Sequence, residues 1–286
     1  MKKMSHAFAA ALSILSASAA AAQTAPAPAP QPARWHLDGA TDRCVLTRRL
    51  EGTPSAATFI LRTIPGSGRY DLILAAPDLS RDLRRPGRNV TLSFAPGGEA
   101  RALRIAAVDL PDRLGDGALF GPLPALSTQE LARASTLQLG DEQGRSLGSW
   151  TIPLAARAAE ALAYCEAEKL VEWGADPAGF EPGATRPQPR EDPTRWLTQR
   201  DFGLATALTS AAYTAVFRLT LDGEGRVTGC TLVESAGNVD LTGACRALRS
   251  RARYEPARDP SGNAIASVAI HMIGFRMETE LRVSPG

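Results

Sequence analysis

Five short apolar runs, at residues 44–50, 57–64, 69–75, 90–94 and 102–108, follow one another with turn residues between them. Each alternates apolar and polar positions and is too short for a packed helix, so this third of the chain reads as antiparallel strands. Gly66-Ser67-Gly68 and Pro96-Gly97-Gly98 join strand to strand. They read as hairpin turns, since a phosphate cradle needs a strand that leads into a helix. Ser127 and Glu130 have capping-box spacing and predict a short helix. Residues 136–139 and 147–152 flank Asp141-Glu142-Gln143-Gly144 as a hairpin. A long helix over 154–173 follows, with Leu154, Ala158, Leu162, Cys165, Lys169 and Leu170 approximating one stripe and Gly174 as its stop.

Breakers divide the rest. Residues 1–22 carry Lys2 and Lys3, an apolar stretch and Ala20-Ala21-Ala22 before Gln23, the pattern of a secretory leader. The competing reading is a retained inner-membrane anchor, but 16 residues rich in alanine fall short of the roughly 20 strongly apolar residues of a span. Residues 23–33 form a Pro/Ala tether, and 175–195 hold five prolines and two glycines. The expected organisation is therefore a leader, the tether, a β-rich domain over 34–174 closed by its helix, a Pro-rich linker, and a second domain over 196–286.

The second domain has its own pattern. A helix is expected over 198–210. Two strands, 213–221 and 226–234, flank the tight turn Asp222-Gly223-Glu224-Gly225. A helix capped by Asn238 carries Leu241, Ala244, Cys245, Leu248 and Ala252, and a last strand covers 264–275. That order predicts a three-stranded antiparallel sheet with two helices, so the whole chain is expected in the α+β class.

Four cysteines allow three pairings, and an exported chain is expected to oxidise them. The domain boundary selects Cys44 with Cys165 and Cys230 with Cys245. No CxxC spacing occurs, only His36 and His271 lie beyond the leader, and no G-x-S-x-G is present, so the chain is expected to be non-enzymatic, without metal or cofactor. Without Lys2 and Lys3 the chain carries 30 cationic and 30 acidic residues, which gives it no general attraction for nucleic acid. The local exception is a basic rim at Arg246, Arg249 and Arg253, near the end of the second-domain helix, where cations oppose the helix dipole favourably.

The run AVFRLTLDGEGRVTGCTLVESAGNVDLTGACRALRSRARYEPARDPSGNAIASVAIHMIGF, residues 215–275, resembles the C-terminal domain of TonB-type energy transducers, in particular the exported two-cysteine variant. The strand-DG-x-G-R-V hairpin, Glu234-Ser235-Ala236-Gly237 and the helix running into Arg253-Tyr254-Glu255-Pro256-Ala257 carry the likeness, with the aliphatic strand that closes on Phe275. The resemblance implies a periplasmic protein that captures an extended segment of an outer-membrane transporter or another envelope protein by strand addition. It implies that Ile265, Ser267, Val268, Ala269, Ile270, His271, Ile273 and Phe275 form the receiving edge. The alternative is an adaptor that uses the same edge for homodimerisation or for a cell-wall-associated partner.

Overall fold

The alternation of the first half becomes strands in the computed structural model, which describes residues 34–39, 42–76, 83, 85–108, 110, 114, 116–123, 126–202, 212–236 and 240–276. The expected leader and tether, Asn238, and most of the helix expected over 198–210 lie outside these residues. The chain runs through β1 (His36–Asp38), β2 (Cys44–Leu50), β3 (Gly52–Thr53), β4 (Ala57–Thr63), β5 (Tyr70–Ala76), β6 (Asn89–Ala95), β7 (Arg101–Ala107) and β8 (Asp116–Leu123). Then come α1 (Thr128–Arg133), β9 (Thr136–Gly140), β10 (Ser146–Thr151) and α2 (Ala155–Glu172). The remainder is β11 (Gln188–Pro189), β12 (Ala212–Leu221), β13 (Val227–Ala236), α3 (Ala244–Arg251), β14 (Tyr254–Glu255), β15 (Ala257–Arg258), β16 (Ala264–Ile265) and β17 (Ser267–Arg276).

Ten strands form one curled antiparallel sheet in the order β1-β2-β4-β5-β8-β7-β6-β9-β10-β3. Its two ends meet because β3 continues β2 after Glu51, whose carbonyl accepts the Thr151 amide at 2.9 Å. In β4 the period of two is strict: Ala57, Phe59, Leu61 and Thr63 are buried and the residues between them are half-buried. Phe59, Leu61, Leu72, Phe94, Phe120 and Trp150 fill the interior, and the Trp150 indole N–H donates to the Ser55 carbonyl at 2.9 Å. The α2 helix packs Ala155, Ala158, Ala159, Leu162 and Cys165 into the same core. Leu154, expected on that stripe, is instead exposed at the helix N-cap. Ser127 accepts the Glu130 amide at the start of α1, as the capping spacing requires.

The expected α+β class is thereby corrected. The chain is β-rich, built on the ten-stranded curled sheet with three helices of 6, 18 and 8 residues among the described residues, and not on a small three-stranded sheet with two helices. The physical reason lies in strands that carry no clean alternation. β8 reads DGALFGPL, with two glycines and a proline, and β1 and β3 are three and two residues long. These join hairpins that seemed separate into one continuous sheet.

A smaller antiparallel sheet, in the order β13-β12-β17, lies beside it within a single contact unit that spans 33–286. One face, with Ala215, Phe217, Leu219 and Leu221, packs on Ala244 and Leu248 of α3, on Trp196 and on Tyr254. On the other face Val268 meets Leu170 and Ala175, and the Arg218 guanidinium lies 4.6 Å from the Trp173 ring centre. The Pro-rich stretch 175–195 is ordered against this region: β11 pairs with β14, and the Asp176 amide donates to the Ala266 carbonyl at 3.0 Å. At Gly225, in the β12–β13 turn, φ is +78° and an added Cβ would collide with the Tyr254 carbonyl, so only glycine closes this turn.

Two disulfides, Cys44–Cys165 and Cys230–Cys245, have Cα separations of 6.1 and 5.6 Å. They fit an oxidising, extracytoplasmic compartment. No described helix is long and apolar enough to cross a membrane.

Candidate functional site

The structure splits the expected last strand in two. Ile265 belongs to β16 and pairs with Ala257 of β15, away from the small sheet. The other named positions lie on β17, which pairs with β12 from Ser267 opposite Leu221 to Arg276 opposite Ala212 and forms one edge of its sheet. Ser267 and Val268 are buried, and Ile270 packs beside Val268 on the face turned to Leu170. Ala269 and Ile273 pack on the core around Trp196, and His271 is buried against the Trp196 ring at 5.3 Å between centres. The side chain of Phe275 lies outside the described residues.

A cleft of about 890 Å³ borders the second half of this strand, at residues 271–274. Its opposite wall is a part of the larger sheet that the sequence reading treated as a plain hairpin turn, residues 63–69 between β4 and β5. That wall is held firmly. The Thr63 hydroxyl donates to the Arg69 carbonyl at 2.8 Å, the Ser67 amide to the Ile64 carbonyl at 3.0 Å, and the Arg69 amide to the Ser67 hydroxyl at 3.1 Å. Gly66 adopts φ +81°, and an added Cβ would stand 3.1 Å from Leu170. Tyr70 donates its hydroxyl hydrogen to Glu166 of α2 at 2.9 Å, and the Gly66 amide bonds the same carboxylate. Burial pushes Glu166 above the usual carboxylate range, opposed by those two hydrogen bonds. The same burial, with the Glu166 charge, pushes the Tyr70 phenol upward.

Among the described residues three arginines line the cleft, and two of them are neutralised. Arg62 pairs with Asp71 at 3.0 Å and Arg43 with Glu234 at 2.5 Å. Arg69 is exposed. Among the described residues its guanidinium reaches only the Met272 sulfur, at 3.7 Å, and forms no ion pair. Apolar surface comes from Leu197, Phe202, Met272 and Ile273. Among the described residues no group of three His, Cys, Asp or Glu side chains could hold a metal ion. Among the described residues the site thus offers a sheet edge, an apolar floor and one arginine without an ion pair.

His271 sits under this edge with 7% of its surface exposed, and its buried Nε2 has no hydrogen-bond partner among the described residues. Burial lowers its pKa below 6.5. The unfolded chain therefore binds a proton that the folded chain refuses, so stability from this residue is complete above pH 6.5 and declines as the pH falls below it. Glu166, pushed upward, titrates with the opposite slope, so a variant difference isolates the histidine. His271→Phe is expected to flatten the loss of stability between about pH 6.5 and 5, measured by urea unfolding at each pH. An identical slope in both proteins would show that His271 is not the titrating group.

The basic rim is divided. Arg246 and Arg249 are exposed beside the Cys230–Cys245 bridge and line a shallow depression of about 510 Å³. Arg253 lies apart from it, donating to the Ala252 carbonyl at 2.7 Å. Sequence reasoning missed Arg69 and Trp196 as parts of the site. Nothing local to either residue marks it, since each gains its role from a distant segment folded against β17. No protein-family model, no curated protein and no solved structure matches the chain.

Proposed function

We propose that the outer edge of β17 captures an extended segment of another envelope protein by strand addition, in the periplasm and without catalysis. The observation that carries this reading is an edge strand bordered by a cleft of about 890 Å³. An added strand gains main-chain hydrogen bonds from the free side of β17 and side-chain contacts from the cleft walls. The resemblance of residues 215–275 to TonB-type domains supports the reading and suggests an outer-membrane transporter as the partner, in energy-dependent uptake. A second reading, self-association, draws on β13, the other edge of the small sheet, where Leu232 is 42% exposed. Sedimentation over a range of concentrations separates the two.

The direct test uses two adjacent prolines. Along β17 the amides alternate between those bonded to β12 and those facing outward. Of Met272→Pro and Ile273→Pro, one therefore removes an outward donor and the other breaks the ladder to β12. The variant that loses an outward donor is expected to keep the fold and lose partner binding by at least about tenfold, and the one that breaks the ladder to lose about 1 to 3 kcal/mol of stability. Full binding by both variants in a folded state would exclude strand addition at this edge.

A further inference from the structure

We infer that the ten-stranded body supplies half of the binding site, and that Arg69, held in its β4–β5 turn, selects an extended peptide bearing an acidic side chain. The inference rests on the strand-addition reading and names what that site would accept. A sheet edge alone discriminates weakly between peptides, because its hydrogen bonds are made by the backbone that all peptides share. Selectivity comes from side chains that face the bound strand, and residues 63–69 are one of the segments across the cleft that can supply one.

Three observations single out Arg69. The other two arginines that line the cleft among the described residues already carry carboxylate partners, Asp71 and Glu234, so a ligand carboxylate would have to displace a formed pair. Arg69 has no such partner among the described residues, and its guanidinium is already at the β17 wall, beside Met272. Its position is also set in advance. Its amide and carbonyl are fixed by Ser67 and Thr63, and the turn is fixed to α2 through Glu166. With the two carboxylates of the cleft, Asp71 and Glu234, already paired to Arg62 and Arg43, Arg69 is the lining cation left without an ion pair among the described residues, and it matches an incoming strand with one Asp or Glu flanked by apolar residues. Such a charge lends specificity and encounter rate, while the sheet edge and apolar floor supply most of the affinity.

The experiment uses the full chain and fluorescent, end-blocked ten-residue peptides of alternating valine and threonine. Each carries Asp, Asn or Lys at one scanned position, and binding is read by anisotropy at low salt. At one or two scanned positions the Asp peptide is expected to bind about fivefold tighter than its Asn counterpart, with the advantage fading in high salt. Arg69→Gln is expected to erase that difference, Arg69→Lys to keep part of it, and Arg69→Glu to turn the preference toward Lys. Thermal unfolding of each variant confirms the fold. An Asp preference that survives Arg69→Gln, or peptides that bind equally whatever the charge, would overturn the inference while leaving strand addition standing. If no peptide binds, both readings fall.

Discussion

Replacing Cys44 and Cys165 together by alanine is expected to lower the free energy of unfolding by about 5 kcal/mol in the chain-entropy model, against about 3 kcal/mol for the Cys230 and Cys245 pair. The bridges differ in the chain they enclose, 121 residues apart for the first and 15 for the second. The first links β2 to α2, two elements on the shared core of the large sheet. Its loss should be felt beyond that core, because Glu166 beside Cys165 fixes the cleft wall and Leu170 packs on Val268 of β17. Urea unfolding of the two double variants, each compared with the oxidised parent, measures both values. A first bridge worth less than the second would show that the unfolded chain keeps β2 and α2 close together without the bond.

Trp196→Ala is expected to cost about 3 to 5 kcal/mol, the range for emptying a large buried aromatic site. Trp196 is 1% exposed, lies 5.1 Å from the Tyr254 ring and 5.3 Å from His271, and its indole N–H donates to Glu191 at 3.2 Å. It fills the space beneath β17, so its removal should loosen the edge as well as destabilise the fold. Hydrogen exchange is the sharper readout, with the β17 amides expected to gain more exchange than those of β4. Equal acceleration in both strands would mean that Trp196 supports the unit as a whole and not the edge in particular.

These expectations draw unequally on the sequence. Alternation in β2 and β4, the Ser127 cap, the Asp222–Gly225 turn and both cysteine pairings were legible because each depends on residues near one another or on a simple division of the chain. Closure of the ten-stranded sheet was not legible, since strand pattern names strands without naming their neighbours, and the glycines of β8 hide the strand between β5 and β7. Ile265 illustrates the same limit. Its apolar surroundings continue those of β17, yet the chain turns at Ala266, whose carbonyl accepts from Asp176, and Ile265 pairs elsewhere. The cleft wall was hidden for a further reason: Arg69 and Met272 are 203 positions apart in the chain.

The two ladders of the small sheet differ in regularity. β12 meets β13 with two shifts of register, whereas β12 and β17 stay in step through ten consecutive pairs. Tension applied along a strand attached outside β17 would pass into an unbroken ladder and strain its bonds together in shear. The bulged side, where bonds can yield one after another, lies on the far side of β12 from that pull. A segment tugged lengthwise there would load the regular ladder before the bulged one.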